Sequence, residues 1–209
     1  MLRIAMLHHP VTALGPGVRF GVWTQGCSIG CAGCMSPHTW DPEGGLMMDV
    51  EAIVDQVAAC DPLDGVTISG GEPFEQPAAL HELLTRLHEL RHQRAEPFDL
   101  LGFSGLPYRR LRSDHDRTLR LFDAVVPEPY VAGAGRGTGI GGSANQALVA
   151  LTDLGVQIHT GSDERIPMQV VDDGERIVLI GTPAPGDLAR LTERLALAGI
   201  DVEAERWRT

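Results

Sequence analysis

The chain has 209 residues, 43% of them hydrophobic, and a formal net charge of −11. That length and apolar share suit one globular domain with room for a small appendage, and they exclude a disordered chain. The acidic balance argues against nucleic acid as a partner, and all 17 Lys/Arg positions are arginine, which excludes Schiff-base chemistry and the usual phosphate-loop lysine.

Taken in chain order, Met1–Pro10 is too short and too quickly interrupted for a secretory signal, and no run approaches the roughly 20 apolar residues of a membrane helix. The expectation is a cytoplasmic protein without a membrane partner. Apolar, β-branched runs predict strands at Val18–Thr24, Gly65–Ser69, Phe98–Phe103 and Ala124–Val126. Asp49 is placed to cap a helix running to Cys60, with Val50, Ile53, Val54 and Val57 on one face. Pro77 suits the first turn of a second helix, where Leu80, Leu83, Leu84, Leu87 and Leu90 recur at helical spacing. A third helix is expected over Ala144–Leu154. Strands alternating with helices imply right-handed crossovers and a mainly parallel sheet.

The pattern changes near Thr160. Met168–Val171 and Arg176–Ile180 flank Asp172-Asp173-Gly174, a tight-turn signal. A helix near Asp187–Ala198 and a short strand near Asp201–Glu205 complete the reading. The expected organisation is therefore residues 1–159 as the main domain and 160–209 as a small ββαβ appendage. Gly133–Gly142 reads as a glycine-rich loop.

Three of the four cysteines, Cys27, Cys31 and Cys34, fall within eight residues. Close spacing lets three thiolates reach one soft metal centre at little loop-closure cost, and Gly26, Gly30 and Gly33 let the backbone curl around it. An iron–sulfur cluster with one open iron fits this set. So does zinc, with His38 as a fourth ligand. Cys60, on an amphipathic stretch, reads as a small buried hydrophobe.

The three- and two-residue gaps between the cysteines resemble the signature of the radical S-adenosylmethionine (SAM) superfamily. Gly15-Pro16-Gly17-Val18-Arg19-Phe20, leading through Thr24-Gln25-Gly26 into Cys27, resembles the entry strand of its glycyl-radical activases. Ser69-Gly70-Gly71-Glu72-Pro73 resembles the superfamily's Gly-Gly-Glu-Pro motif. Cys31–Trp40, Phe103-Ser104-Gly105 and Gly142-Ser143-Ala144-Asn145-Gln146 resemble segments of the anaerobic ribonucleotide reductase activating proteins. The similarity spans residues 15–154. Two departures stand out: the glycine-rich 133–142 stretch, and Pro127-Glu128-Pro129-Tyr130, where the activases tend to carry an Asp-Gly-Pro-Phe-like turn.

The resemblance implies an α/β fold, an incomplete parallel (β/α) barrel with its site at the C-terminal mouth of the strands. It implies one 4Fe-4S cluster held by Cys27, Cys31 and Cys34 as the catalytic and metal-binding cysteines, with SAM chelating the open iron. Ser69, Gly70, Gly71 and Glu72 would meet the methionyl amine, and Ser104, Ser143 and Asn145 the carboxylate or ribose. Each of the last three also has a structural reading, as a turn starter or helix cap. The implied activity is reductive cleavage of SAM to a 5′-deoxyadenosyl radical that abstracts hydrogen. The implied use is activation of a glycyl-radical enzyme such as anaerobic ribonucleotide reductase, with flavodoxin or ferredoxin as electron donor. Direct modification of a peptide or small metabolite is the alternative. Arg19 is expected to serve packing or electrostatics, balancing the anionic cluster site, and Trp40 to pack.

Overall fold

A seven-stranded sheet organises the chain. The computed structural model describes residues 1–135, 139–160, 166, 168–172, 177–183 and 186–199. The strands are β1 (Leu2–Val11), β2 (Arg19–Thr24), β3 (Leu46–Met48), β4 (Gly65–Gly70), β5 (Asp99–Phe103), β6 (Ala124–Val126) and β7 (Val149–Ala150). Their order across the sheet is β3-β1-β2-β4-β5-β6-β7. The central four, β2, β4, β5 and β6, are mutually parallel, and the flanking strands run antiparallel. The architecture is α/β with a mostly parallel sheet, and four of its strands fall where the apolar runs place them. β1 has no counterpart among the expected strands, although Leu2 and Ile4 are buried at strand spacing.

The helices that cross between parallel strands cover one face. Helix α1 (Val50–Ala58) starts where the Asp49 side chain accepts a hydrogen bond from the Glu51 amide, and it buries Val50, Ile53, Val54 and Val57. Helix α2 (Pro77–Gln93) begins on a proline and buries Leu80, Leu83, Leu84 and Leu87, each contributing about 1.5–3 kcal/mol of apolar burial. Both stripes pack with Phe20, Val22, Val66, Ile68, Leu100 and Val125. Cys60 is partly buried against this core, its thiol donating to the Gln56 carbonyl at 3.2 Å. Helices α3 (Tyr108–Asp114) and α4 (Asp116–Leu119) fill the connection between β5 and β6.

Strand alternation puts a different set on the other face: Arg19, Trp23, Thr67, Asp99, Leu101, Ala124 and Val126. This face carries the site. A separate two-stranded sheet, β8 (Met168–Asp172) and β9 (Ile177–Gly181), packs against its near edge, with Ile180 joining Val11, Ala13, Leu14 and Trp23 in one apolar cluster. Helix α6 (Asp187–Leu197) follows close to its expected span. Residues 173–174 of the expected turn and the strand expected at 201–205 lie outside the described residues.

One expected element is corrected. Residues 144–154 are not a helix: Val149–Ala150 pair with β6, and helix α5 (Asp153–His159) starts only after Thr152. Thr152 caps it by accepting the Gly155 amide at 3.1 Å. Upstream, the side chains of Ser143, Asn145 and Gln146 take up backbone groups of their own loop and of the turn at 128–131, competing with a helical ladder.

Candidate metal and cofactor site

At the C-terminal ends of the parallel strands the chain leaves β2 through Gln25-Gly26 into the cysteine loop, and leaves β4 through Gly70-Gly71 into Glu72. The two exits are pressed together. The Gly71 amide donates to the Thr24 carbonyl at 2.8 Å, and the Glu72 amide donates to the Gly26 carbonyl at the same distance. A Cβ added at Gly71 would lie 2.2 Å from the Gly26 carbonyl oxygen, so no other residue permits this approach. The Gly-Gly-Glu-Pro segment is thus bolted to the base of the cysteine loop by main-chain contacts. On its far side the loop returns under Gly26→Thr39 and Cys27→Trp40 amide-to-carbonyl bonds of 2.7 and 3.1 Å. Glu75 adds a clasp, its carboxylate accepting from both the amide and the hydroxyl of Ser28, at 2.8 and 2.6 Å.

The three cysteines are half-buried thiols that line one cavity of about 250 Å³. Ser69, Gly70, Gly71, Glu72 and Ser104 line the same space, as do His38, Trp40 and Tyr130. Burial pushes the Cys27 and Cys31 thiols up, with hydrogen bonds from the backbone at Ile29 and Gly30 partly offsetting this for Cys27. The Ser36 amide donates to Cys34 Sγ at 3.3 Å. Such thiols ionise when a soft metal binds them. The donor set, three thiols from one loop facing a common space, fits an iron–sulfur group. Among the described residues no three His, Cys, Asp or Glu side chains are gathered at metal-ligand distance, so the loop is a shared rim rather than a preassembled cage.

Glu72 is fully buried, and each of its oxygens is oriented. Oε1 accepts from the Phe74 amide at 3.0 Å and from Ser104 Oγ at 2.9 Å, and Oε2 accepts from the Gly105 amide at 2.7 Å. Burial pushes its carboxyl up to about 7, against the pull of those donors. The Ser104 hydroxyl is itself fixed, accepting from the Leu106 amide at 3.0 Å. Ser104 therefore holds Glu72 in place at the cavity wall.

Ser143 and Asn145 do not line the cavity; Gly142 and Gln146, from the same loop, do. Ser143 Oγ accepts from the Val131 amide at 3.2 Å and donates to Asn145 Oδ1 at 2.8 Å, while Asn145 Nδ2 donates to the Pro129 carbonyl at 2.8 Å. Gln146 Nε2 donates to the Glu128 carbonyl at 2.8 Å. Together they hold the 127–131 turn, in which Glu128 sits at φ 82°, left-handed backbone that a non-glycine residue rarely adopts. This is the turn at which the sequence departs from the activase pattern, and Tyr130 reaches the cavity from it.

Arg19 lies at the opposite end of the strands. All five of its N–H groups are bonded: Nε to Thr67 Oγ1 at 2.6 Å, Nη1 to Asp99 Oδ1 at 2.7 Å and the Pro16 carbonyl at 3.1 Å, Nη2 to Asp99 Oδ2 at 3.0 Å and the Val66 carbonyl at 3.3 Å. His159 Nε2 meets Asp99 Oδ2 at 2.9 Å. The expected electrostatic role toward the cysteine site is replaced by a closed ion-pair network at the strand entrances. A Cβ on Gly65 would lie 2.3 Å from the Arg19 guanidinium carbon, so Gly65 leaves the room this arginine needs. His9 stacks on Phe20 and meets the Pro62 carbonyl at 2.9 Å.

Glu75, which clasps Ser28 three residues past Glu72, and Gln146, which lines the cavity and ends a quoted motif, were both within reach of a sequence argument. The run Val178–Pro183, which lines the cavity from β9 and the residues just after it, was not, because nothing in its apolar pattern says where the hairpin docks.

A family model described as a 4Fe-4S single cluster domain matches residues 13–149, well over half of the chain. The pyruvate formate-lyase-activating enzyme of Clostridium pasteurianum is 29% identical over 149 residues, covering 69% of this chain and 60% of that protein. The pyruvate formate-lyase-activating enzyme of Staphylococcus aureus (strain USA300) is 37% identical over 84 residues, covering 37% of this chain and 34% of that protein. The chain thus spans 60% or less of the length of these curated relatives.

Proposed function

The chain belongs to the 4Fe-4S single-cluster domain family and is similar to radical SAM activases, and from that premise we propose that it is a radical SAM enzyme that activates a glycyl-radical partner. The observation that carries the proposal is the common cavity of Cys27, Cys31, Cys34, Ser69–Glu72 and Ser104 at the C-terminal mouth of a mostly parallel sheet. That is where a partial (β/α) barrel keeps its chemistry. Residues 160–209 are proposed as an appendage to it.

In this reading Cys27, Cys31 and Cys34 hold a 4Fe-4S cluster. When bound, the cluster supplies the single electron that splits the sulfonium of SAM into methionine and a 5′-deoxyadenosyl radical. The chain's own residues do the positioning. Glu72, aimed by Ser104 and the Gly105 amide, takes the methionyl ammonium, and that positive charge offsets the burial that otherwise raises its carboxyl. The main chain at Ser69–Gly71 borders the same group. Trp23, Trp40 and Tyr130 keep water from the space. A glycine Cα of the partner presented at this cavity would give up one hydrogen atom, the products being 5′-deoxyadenosine and a glycyl radical.

As partner we propose anaerobic ribonucleotide reductase, supported by the resemblance of Cys31–Trp40 and Gly142–Gln146. The curated relatives are named for pyruvate formate-lyase, which is the competing target. A flavodoxin or ferredoxin in the cytoplasm would supply the electron. Among the described residues no helix is long and apolar enough to cross a membrane.

The test is anaerobic reconstitution with iron and sulfide, followed by dithionite and SAM. Formation of 5′-deoxyadenosine and, with each candidate partner, a doublet glycyl-radical signal is the expected result. Product formation without a radical on either partner would transfer the assignment to direct modification of another substrate. No 5′-deoxyadenosine from protein carrying a full cluster would end the enzymatic reading.

A further inference from the structure

One turn at the rim of the cavity holds a conformation that its residue type opposes. Among the described residues, Glu128 is the one non-glycine residue with left-handed backbone, at φ 82°. Glycine takes that φ at no steric cost, whereas a residue with a Cβ keeps it only where the surroundings impose it. Here they do so from three sides. The Glu128 amide donates to the Leu106 carbonyl at 3.0 Å, and the Glu128 carbonyl accepts from Gln146 Nε2 at 2.8 Å. Its carboxylate Oε1 accepts from the Tyr108 amide at 3.0 Å. A glycine could make the first two bonds, so what the glutamate adds is the third.

That third bond joins two walls of the cavity. Tyr108 opens helix α3 shortly after Ser104 and Gly105, the residues that orient Glu72. Just past Glu128, the Tyr130 ring lies against two glycines. A Cβ added at Gly33 would be 3.5 Å from its Cε1, and one added at Gly142 would be 3.3 Å from its Cδ2. Gly33 belongs to the cysteine loop, and Gly142 leads into Ser143–Gln146. The ring therefore touches both loops while it lines the cavity. The direction in which the chain leaves Glu128 decides where this ring stands.

We propose that Glu128 is a positioning residue of this site: by binding the Tyr108 amide it locks the left-handed turn, and so fixes Tyr130 between the cysteine loop and Gly142. This role deepens the activase reading above and rests on it for the identity of the occupant, SAM. Tyr130 borders the space that the three cysteines and Glu72 share, so a displaced ring opens the wall beside that occupant. SAM binding then weakens while the chemical step changes less, since Glu128 touches no reacting group.

The chain has two tyrosines, Tyr108 and Tyr130, one on each side of this contact, so fluorotyrosine labelling of the full chain gives one fluorine NMR signal for each. Tyr130→Phe identifies the Tyr130 signal, and spectra are taken before any cluster is introduced. In Glu128→Gly, which suits φ 82° and should fold, that signal is expected to shift or split. Glu128→Gln, whose amide oxygen can still accept from Tyr108, should restore it. Tyr108→Pro removes the donor amide at the first helical position, where proline fits and where Pro107, at φ −57° and ψ 139°, tolerates a following proline. It should move the Tyr130 signal, and Tyr108→Ala, which keeps the amide, should not. After reconstitution with iron and sulfide, Glu128→Gly should raise the KM for SAM in 5′-deoxyadenosine formation about tenfold with little change in kcat, and Glu128→Gln less than about twofold. A Tyr130 signal unmoved in Glu128→Gly and Tyr108→Pro overturns the proposal, as does a moved signal with an unchanged KM. If wild type forms no 5′-deoxyadenosine, the activase reading falls, and the fluorine signals alone decide whether Glu128 holds Tyr130.

Discussion

The two ends of the parallel strands bury polar groups for opposite purposes. At the strand entrances, Arg19 and Asp99 close on each other, with His159, Thr67 and two carbonyls completing every bond. At the exits, three thiols and the Glu72 carboxylate face a shared space. Burial alone would raise the Asp99 carboxyl, but the adjacent Arg19 guanidinium, helped by His159, outweighs it and holds it below the usual range. At Glu72 no cation among the described residues does this, and burial wins. A buried acid matched by the chain's own cation is architecture. A buried acid with no cation of its own is poised for one that arrives.

The comparison breaks most sharply at Cys31. Replacing it with alanine should reduce 5′-deoxyadenosine formation by orders of magnitude and lower iron content. Because Cys31 is a half-exposed loop residue, urea unfolding of the metal-free protein should shift by less than about 0.5 kcal/mol. A large stability loss would mean that the loop serves the core, and the two ends would no longer differ.

Asp99→Ala is the mirror case. It strands a fully buried guanidinium, which costs about 3–5 kcal/mol in unfolding free energy. The double replacement Arg19→Met with Asp99→Leu should recover part of that loss, since apolar pairs of similar size replace buried ion pairs without the desolvation penalty. A mild effect of Asp99→Ala would show that water reaches the strand entrances.

What could be read in advance follows the same division. The cysteine loop and Gly-Gly-Glu-Pro are local, so their residue types and spacing announce a site, and the α1 and α2 stripes declare their buried faces. The network around Arg19 is not local: Asp99 lies 80 positions from Arg19, His159 lies 60 positions beyond Asp99, and nothing near Arg19 names either. The 144–154 segment misled for a related reason. Its spacing suits a helix, yet Ser143, Asn145 and Gln146 spend their side chains on a turn 12 to 18 residues upstream. The docking of β9 at the cavity is likewise a tertiary fact, carried by Ile180.

The pH dependence of stability sharpens the contrast, because the two acids have opposite signs. Glu72 has a folded value near 7, above its ordinary 4.5, so the folded state binds the extra proton between those values. Its contribution is fully present below about pH 4.5 and is lost as pH rises toward 7, by on the order of 3 kcal/mol. Asp99 is depressed in the folded state, so its contribution is present above the ordinary 3.8 and is lost as pH falls through the lower folded value. Urea titrations of metal-free protein should therefore show stability declining from pH 4.5 to 7, and Glu72→Gln should flatten that decline. A decline unchanged in Glu72→Gln would assign it elsewhere.

The smallest effect is expected at the clasp that joins the two exits. Glu75 accepts from both the Ser28 amide and hydroxyl, and those bonds are exposed to water, so Glu75→Ala should change global stability by no more than about 0.5–1 kcal/mol. Water can replace both partners in the free protein. What water cannot replace is the restriction that the clasp places on the segment between Cys27 and Cys31, whose freedom must be lost when three thiols bind one centre. The substitution should therefore appear in cluster retention, as faster loss of the visible absorbance during chelator challenge, while the unfolding curve barely moves. Equal retention in wild type and Glu75→Ala would mean that the main-chain bonds of Gly26, Cys27 and Glu72 suffice to hold the loop, and that the clasp contributes nothing to the mouth's function.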